Sequence, residues 1–502
     1  MKKILLSKSK IKDMNGCDLM LWNSLNLPQE DKQWSKDNLY RFEQGRQVEQ
    51  FARDLFPTGV LQNKVRNTEK AEMTQDLLKT ASVIFEAAFV SNQTIIQFDI
   101  LSKNEDGTYD AVEVKSASKF KPEYEIDVLI QYWIATLAGI KINKFELWFV
   151  NKNATKIGEN YFVRQDITDL AKNSEERFWE LLNKALTIAM TTEAPVVKTG
   201  AHCERLECPY RGTEKCAMSK AKDSVFSLPR FPAAWAAVEK GITTVNDPRF
   251  DQTYKYTESN PLIIQSIRED KLIINREELM KDYSAWKFPL NFFDFETLMG
   301  AIPVMDGQRP YEQMTFQFSN HVFDGQNNQM KHSLHLHTDT SSPHLPMVLA
   351  ILNTLEANEG SVVAYNKTFE QTRIRDLANK FPEYSDRLLA IVERFVDLMD
   401  LVKDHVYHPD FMGSYSLKVV SPTLLKEYGA YTDSLIKSGS EIAQYYTEMI
   451  TTENLERKQL IYNALDKYCF YDTLNLFLVL QFLIDPKADI AQLVELNLGQ
   501  KK

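Results

Sequence analysis

Two carboxylates and a lysine lie close together in a predicted β-hairpin, and their side-chain types suit a metal site. Residues 95–101 and 109–115 alternate apolar and polar side chains across a polar, glycine-containing turn, which predicts two antiparallel strands. Glu113 and Lys115 are two residues apart and share a face of the second strand, while Asp99 lies on the first. Two carboxylates can hold a divalent cation, and a neighbouring lysine can stabilise an anionic oxygen or orient a water. An exposed hairpin with a surface salt bridge is the alternative.

A second set of acids lies in the C-terminal half of the chain. Asp294 and Glu296 are two residues apart in an apolar segment that predicts a strand, so both project from one face. Glu370 lies in the first turn of a predicted helix. Tyr468 and Asp472 are four residues apart in a long final helix and therefore share a face. Paired carboxylates on a strand are typical of sites for divalent cations.

Four of the five cysteines can form a thiolate site. Cys203, Cys208 and Cys216 lie in one short loop-rich segment, which supplies three of the four ligands of a tetrathiolate site. Cys17, far away in the sequence, is the natural fourth ligand. Sulfur ligands suit both an iron–sulfur cluster and zinc. Four unrelated thiols are the remaining alternative.

The composition is that of an ordinary globular protein. The 502 residues are 44% hydrophobic and 25% charged, and they allow two to four domains with cores of their own. The absence of a long apolar run predicts no membrane span, and the low cysteine content predicts a cytoplasmic location. A net charge of −10 argues against a general polyanion-binding surface. It does not exclude nucleic acid, because carboxylates that hold metals contribute to that charge.

The order of elements predicts three segments. Residues 1–223 contain helices, the hairpin and further strands, including an apolar strand in which Glu86 needs a partner. The buried helix after the hairpin carries Gln131. Residues 224–288 are rich in proline and short helices and predict a helical connector, and residues 289–502 begin a second α/β region.

The first segment resembles the RecB-like branch of the PD-(D/E)xK nucleases. Their pattern of a helix, a hairpin with D…ExK and a helix with Gln matches Glu86, Asp99, Glu113, Lys115 and Gln131. The resemblance implies a restriction-endonuclease-like fold in which Asp99 and Glu113 bind metal, with Glu86 assisting. Lys115 would stabilise charge on the phosphate or position the water, and Gln131 would belong to the same catalytic centre.

The distribution of the cysteines resembles the iron–sulfur staple of RecB-like nucleases, in which a distant N-terminal cysteine joins a C-terminal trio. The resemblance implies a [4Fe–4S] cluster held by Cys17, Cys203, Cys208 and Cys216. Structural Zn²⁺ is the alternative occupant of the same site.

The last segment resembles the DEDD exonucleases of the RNase H-like fold, which carry a mixed sheet. The matching acids are Asp294, Glu296, Glu370 and Asp472, and Tyr468 indicates the DEDDy variety. The resemblance implies two Mg²⁺ or Mn²⁺ ions, with Tyr468 orienting the attacking water and nucleotides removed in the 3′→5′ direction. Asp397 and Asp400 are alternatives to Glu370.

The sequence as a whole therefore predicts an α/β protein that hydrolyses phosphodiester bonds of DNA, single-stranded or at ends, with RNA still open. Glu49, Ala135 and Glu370 depart from the patterns of the two families. These departures keep a second hypothesis open: a nucleic-acid-binding scaffold with one or both centres inactive. A metal-dependent phosphoesterase acting on nucleotides is a third.

Overall fold

A computed structural model describes most of the chain: residues 4–27, 36–197, 203, 210, 221–254, 261–429, 435–436 and 439–498. The chain divides into two compact units. Unit 1 contains Met1–Ala217, Gly300–Pro303 and Gly307–Glu312. Unit 2 contains Met218–Met299, Val304–Asp306 and Gln313–Lys502.

Unit 1 alternates helices and strands. Its strands are β1 Leu6–Ser7, β2 Val60–Leu61, β3 Val83–Ser91, β4 Thr94–Lys103, β5 Tyr109–Lys115, β6 Ile142–Val150 and β7 Phe162–Asp166. Its helices are α1 Lys8–Gly16, α2 Asp18–Asn26, α3 Lys36–Asp54, α4 Asn67–Thr80, α5 Tyr124–Leu137, α6 Thr168–Lys172 and α7 Glu175–Met190.

The sheet of unit 1 is mixed. Its described strands run in the order β2-β3-β4-β5-β6-β7, with the short β1 pairing in parallel with β4. The predicted hairpin is present as β4 and β5, whose connecting turn contains Gly107 at φ 82°. A left-handed backbone at this position favours glycine because a Cβ would be strained there. Helix α5 then crosses from β5 to the parallel strand β6.

Unit 2 starts with short helices and continues with a second sheet. Its strands are β8 Ile273–Ile274, β9 Leu290–Leu298, β10 Met314–Phe323, β11 Lys331–Leu336, β12 Val362–Ala364, β13 Phe395–Asp397 and β14 Val406–Tyr407. Its helices are α8 Ala234–Glu239, α9 Phe250–Thr253, α10 Pro261–Glu269, α11 Arg276–Tyr283, α12 His344–Leu355, α13 Thr368–Lys380, α14 Ser385–Val392, α15 Leu398–His405, α16 Leu417–Leu425, α17 Ile442–Thr451, α18 Leu455–Ile484 and α19 Ile490–Leu498.

The main sheet of unit 2 is also mixed, and β9 is its central strand. The described strands run in the order β11-β10-β9-β12-β13, antiparallel from β11 to β9 and parallel from β9 to β13. Both faces of β9 are buried: Phe292 packs against Phe477 of α18, and Phe293 packs against Phe395. Burial on both faces explains why the consecutive residues Phe292 and Phe293 are both apolar.

Residues 224–288, predicted as a separate connector, belong to unit 2. Val225, Ile263 and Leu279 lie in the same hydrophobic core as Phe292 and Phe477. Each short helix is amphipathic and too small to bury its apolar side chains alone, so it packs onto this larger core.

Both units are α/β structures with mixed sheets, in agreement with the predicted fold class at that level. In the described part of the chain, none of the helices combines the length and the apolar character that crossing a bilayer requires.

We expect Phe292→Ala to lower the free energy of unfolding by about 3–5 kcal/mol, because it leaves a cavity between β9 and α18. Leu389→Ala is the control, since Leu389 is 40% exposed, and its effect should stay below about 1 kcal/mol. Urea unfolding of the full chain, followed by circular dichroism, measures both. Equal effects of the two variants would contradict the assignment of β9 as the central buried strand.

Candidate functional site

A cavity of about 450 Å³ in unit 2 is lined by all the residues that the sequence predicted for this half. Strand β9 contributes Asp294 and Glu296, the first turn of α13 contributes Glu370, and α18 contributes Tyr468 and Asp472. Asp294 and Asp472, which are 178 positions apart in the sequence, thus line the same cavity.

Three of these acids are close enough to share one cation. One carboxylate oxygen from each of Asp294, Glu296 and Asp472 lies within 4.8 Å of the others. The alignment of β10 and α18 supports this arrangement: Ser319 pairs with Asp294 across the sheet, and its hydroxyl lies 2.7 Å from Oγ1 of Thr473. The neighbour of Asp472 is therefore tied to the strand that flanks Asp294.

The acids of this cluster destabilise one another in their charged forms. Burial raises the pKa of Asp294 well above its ordinary value, and the nearby carboxylate of Asp472 raises it further, while Lys418 opposes the shift. Burial and the charge of Asp294 likewise raise the pKa of Glu296. A bound divalent cation would relieve this repulsion, because it supplies the positive charge that the cluster lacks.

Glu370 is more deeply buried than the other three acids. Its side chain is 2% exposed, and its Oε2 atom makes no hydrogen bond within the described part of the chain. Burial raises its pKa, and the carboxylate of Asp294 raises it further. A buried oxygen without a donor is costly unless a ligand satisfies it. Glu370 can therefore supply the fourth oxygen ligand of a metal centre.

Asp397 has a different role from the one considered in the sequence. It accepts hydrogen bonds from the backbone N–H groups of Asn366, Lys367 and Met399, each at 2.9 Å. Its carboxylate is thus committed to the turn that begins α13, where Asn366 has φ 70°. Asp397 positions the helix that carries Glu370. Asp400 has its side chain 59% exposed and does not line the cavity.

Tyr468 and Lys418 are two further polar groups that line this cavity and can act on a ligand. Burial raises the pKa of Tyr468, as does the charge of Asp472, so the phenol keeps its proton. Gly439 lies beside both: a Cβ atom there would stand 2.8 Å from Nζ of Lys418 and 3.4 Å from Oη of Tyr468. The small residue at this position leaves room for the lysine.

Unit 1 places the other predicted acids on three adjacent strands. The β3–β4 register sets Glu86 opposite Asp99, and the β4–β5 register, continued by one residue, sets Asp99 opposite Glu113. Oδ2 of Asp99 also accepts the N–H of Val114 at 2.6 Å. Glu86 has a left-handed backbone with φ 57°, a conformation that costs a non-glycine residue about 1–3 kcal/mol.

Glu113 makes close contacts with protein groups at both carboxylate oxygens. Its Oε1 lies 2.6 Å from Nζ of Lys8 and 2.8 Å from Nζ of Lys115. Its Oε2 accepts a hydrogen bond of 2.5 Å from Nε2 of Gln131. Lys115 is also 3.0 Å from Oδ2 of Asp127 on α5. The predicted Glu113, Lys115 and Gln131 therefore form one connected network.

The two lysines set the charge of this network. Burial alone would raise the pKa of Glu113, but Lys115 and Lys8 outweigh it and lower the pKa to about 2. Burial opposes the charge on Lys115, yet the charge of Glu113 raises the pKa of this lysine above its ordinary value. Burial raises the pKa of Asp99, and the charges of Glu113 and Glu49 raise it further.

Glu86 faces an arginine that the sequence did not single out. Its Oε1 lies 2.5 Å from a guanidinium nitrogen of Arg53, which is also 3.5 Å from Oε2 of Glu49. Burial raises the pKa of both acids. The half-buried Glu86 thus finds its charged partner on α3, and Nε2 of Gln97 on β4 donates a hydrogen bond of 3.3 Å to its other carboxylate oxygen.

Four residues of the two networks were not predicted: Lys8, Arg53, Asp127 and Lys418. Asp127 is one helical turn before Gln131 on α5, so its spacing could have revealed it. Lys418 is the second residue of α16 and shares no local pattern with the acids in the sequence. Lys8 and Arg53 carry no signal in the sequence, because only the fold brings α1 and α3 to these strands.

The cysteines are only partly described. Cys17 lies between α1 and α2, and Cys17 and Cys203 are both half-buried. Cys208 and Cys216 lie outside the described residues. The fifth cysteine, Cys469, is buried in α18.

Comparison with known proteins finds one family model. Residues 291–416 match the "Domain of unknown function (DUF2779)". The matched stretch starts at β9 and includes Asp294, Glu296 and Glu370, whereas Tyr468 and Asp472 lie beyond it.

Three curated relatives come from Mycoplasma and Ureaplasma species. The chain is 27% identical to the "Uncharacterized protein MG366 homolog" of Mycoplasma pneumoniae over 39% of its own length and 32% of the relative's. It is 28% identical to the "Uncharacterized protein UU173" of Ureaplasma parvum, over 27% and 21%. It is 18% identical to the "Uncharacterized protein MG366" of Mycoplasma genitalium, over 86% and 83%. The chain thus matches a third or less of the length of the first two relatives.

We expect Asp397→Ala and Glu370→Gln to change stability in opposite directions when no divalent cation is added. Loss of Asp397 leaves three backbone N–H groups without their acceptor and should lower the free energy of unfolding by about 1–3 kcal/mol. Glu370→Gln removes a carboxylate that repels Asp294 and should raise the melting temperature. Thermal unfolding of the full chain tests both.

Asp400→Ala is the control for this comparison, because the exposed Asp400 should change stability by no more than about 0.5 kcal/mol. If Asp397→Ala raised the melting temperature instead, Asp397 would be a member of the repelling acid cluster and not a structural cap.

Proposed function

We propose that this protein is a metal-dependent nuclease that hydrolyses phosphodiester bonds of DNA. The observation that carries the proposal is the group of four carboxylates and one protonated tyrosine around a single cavity in unit 2. Oxygens of Asp294, Glu296 and Asp472 lie within 4.8 Å of one another, a separation suited to shared coordination of a cation.

The donor set fits Mg²⁺ or Mn²⁺. Carboxylate oxygens are hard ligands, which these ions prefer, and the cluster lacks the sulfur and imidazole ligands that favour other metals. The orphaned Oε2 of Glu370 supplies a further oxygen donor. Two bound ions would supply Lewis acidity to both the attacking and the leaving oxygen of an in-line displacement.

The other groups of the cavity have roles that follow from their charge states. Tyr468 keeps its proton and can donate a hydrogen bond that orients the attacking water. Lys418 lines the same cavity and can pair with a phosphate oxygen. Asp397 keeps Glu370 in place by holding the start of α13. The resemblance to DEDDy exonucleases adds the expectation of 3′→5′ removal of nucleotides.

Unit 1 supplies a second proposed centre, with Asp99 and Glu113 as metal ligands and Glu86 assisting. Lys115 is held between Glu113 and Asp127, so its ammonium group is fixed beside the acids and can stabilise charge on a phosphate. Gln131 holds the second oxygen of Glu113. This centre differs from unit 2 because one of its proposed ligands, Glu113, already has two lysine partners.

The two mixed sheets support the proposed domain families without distinguishing them from other α/β folds. We assign unit 1 to the RecB-like PD-(D/E)xK nucleases and unit 2 to the RNase H-like exonucleases on the residue patterns. The same resemblance favours DNA, single-stranded or at ends, over RNA as the substrate.

The proposal includes a [4Fe–4S] cluster on Cys17, Cys203, Cys208 and Cys216, with Zn²⁺ as the alternative. The half-buried positions of Cys17 and Cys203 are compatible with shielded ligands. Such a cluster would tie the start of the unit 1 fold to its end and would have a structural role.

A scaffold with an inactive first centre is the second candidate, and one observation favours it. Both oxygens of Glu113 contact protein donors, among them two lysines, so a metal ion must displace at least one of these contacts. In this candidate, unit 1 binds nucleic acid and unit 2 alone is catalytic.

We expect Asp472→Asn, made in a Lys115→Met background, to reduce the remaining Mg²⁺-dependent shortening of end-labelled single-stranded DNA by about 100-fold or more, because it removes a metal ligand. Asp400→Asn, an exposed acid of the same unit, should retain full activity.

Lys115→Met should reduce the activity of unit 1 similarly, with the exposed Lys103→Met as its control. Gel analysis of the products separates the two activities when each variant is tested in the background of the other.

Full loss of cleavage in the single variant Asp472→Asn, in which Lys115 is intact, would support the scaffold candidate for unit 1. Unchanged cleavage on adding Asp472→Asn to the Lys115→Met background would contradict the proposed centre of unit 2. Wild-type protein that hydrolyses only small phosphodiesters, with little dependence on strand length, would identify a nucleotide phosphoesterase instead.

We expect protein purified without oxygen to contain about four iron atoms per chain and to be coloured. Cys17→Ser should reduce the iron content and the melting temperature, whereas the buried Cys469→Ser should keep its iron. Elemental analysis and the visible spectrum measure the outcome. Colourless protein with one zinc atom would assign the site to Zn²⁺ and leave the nuclease proposal standing.

A further inference from the structure

A second cavity, of about 490 Å³, lies in unit 1 beside the proposed catalytic centre. Helices α3 and α4, the segment that follows β2, and strands β3 and β4 all contribute to its lining. Its charged residues are four cations and two acids: Arg46, Arg53, Lys64, Lys70, Glu49 and Glu86. Arg53 contacts both acids, Glu49 and Glu86.

The cavity has an excess of positive charge. Four cations face two acids in the lining, a formal excess of two positive charges, and Arg53 contacts both acids. Lys70 donates a hydrogen bond of 3.2 Å to Oε1 of Gln97, and its charge also acts on Glu86. Arg46 pairs with Glu43, but both side chains are exposed, at 69% and 48%, so the pair is weak and can be exchanged for another anion.

We propose that this cavity binds a phosphate group of a nucleic-acid strand, next to the centre that would cleave the strand. The inference rests on the proposed function and adds a substrate subsite to it. Guanidinium and ammonium groups are the usual partners of phosphate oxygens, and the side-chain amides of Gln50 and Asn63 provide further donors.

The composition of the lining also indicates which part of a nucleotide is recognised. Among the described residues that line the cavity, none is aromatic, and Leu61 is the apolar one. A base would find no ring to stack on, whereas a phosphate would find several donors. Contacts to phosphate carry no sequence information, so this subsite should position the strand without selecting its sequence.

The cavity and the catalytic centre share structural elements. Glu86 lines the cavity and lies opposite Asp99 in the β3–β4 register. Gln97 also lines the cavity and is two residues before Asp99 on the same face of β4. The main-chain oxygen of Gln97 accepts a hydrogen bond of 2.6 Å from Nε2 of Gln131, which also holds Glu113. A phosphate bound here would therefore place the neighbouring part of the strand at the acids.

The test measures binding in the absence of added divalent cation, so that no cleavage is required. Fluorescently labelled single-stranded oligonucleotides carry a 5′-phosphate, a 3′-phosphate or neither, and fluorescence anisotropy gives the dissociation constant of each. Inorganic phosphate and adenosine monophosphate serve as competitors. Thermal unfolding confirms that each variant is folded.

Lys64→Glu and Lys70→Glu should each weaken binding of the full chain by about 5- to 20-fold. They should also reduce the salt dependence, by roughly 0.7 in the logarithmic slope for each phosphate that the variant no longer neutralises. Lys79→Glu is the matched control, because Lys79 is on the same helix as Lys70, is 71% exposed and does not line the cavity. Its effect should stay below about twofold.

Two results support the subsite and identify the phosphate. Tighter binding of a phosphorylated end, abolished in Lys64→Glu, assigns the cavity to a terminal phosphate. Equal weakening for all three oligonucleotides assigns it to an internal phosphate.

Two other results overturn it: Lys64→Glu no weaker than Lys79→Glu, or adenosine monophosphate that binds as tightly as the oligonucleotides. Failure of the nuclease proposal would instead appear as the absence of DNA shortening in the Mg²⁺ reaction, with these binding results unaffected.

Discussion

Carboxylates held close together and away from water repel one another, and the fold of each unit must compensate for this repulsion. In unit 2, burial and mutual repulsion outweigh the nearby Lys418 and Arg373 and raise the pKa values of Asp294, Glu296 and Glu370, a charge state that favours a divalent ion. In unit 1 the fold supplies two ammonium groups, and the pKa of Glu113 is lowered to about 2. The neighbouring charges thus determine whether a carboxylate favours a divalent cation, as in unit 2, or pairs with lysines, as Glu113 does in unit 1.

Rigid secondary structure holds each charged group in position. In unit 2 the acids come from the central strand and from two helices, and a hydroxyl pair between Ser319 and Thr473 fixes the long helix against the sheet. In unit 1 the registers of three strands align Glu86, Asp99 and Glu113. Side chains on strands and helices are positioned more accurately than side chains on loops, and accurate positioning is what shared coordination of a cation requires.

Local patterns in the sequence were sufficient for the elements that carry the acids. The alternation around Asp99 and Glu113 predicted the hairpin, and the spacing of Tyr468 and Asp472 predicted their common helix face. Contacts between distant segments were not predictable, because no local pattern encodes them: Lys8 and Arg53 reach their acids only in the folded unit. The connector was predicted as separate because its short helices give no sign of the larger core that they complete. Asp397 was considered a metal ligand, although its three backbone contacts give it a structural role.

The contact between Lys8 and Glu113 joins residues that are 105 positions apart in the sequence. Lys8 follows the two-residue strand β1, whose pairing with β4 can form only after the β3–β4 hairpin has emerged during synthesis. A contact of such high sequence separation costs more loop-closure entropy than a local contact, and we expect it to form after the local β3–β4 hairpin. Until it forms, Glu113 has one lysine fewer beside it. Strand β1 and Lys8, which are synthesised before the hairpin, would therefore be the last to complete the charge balance around Glu113.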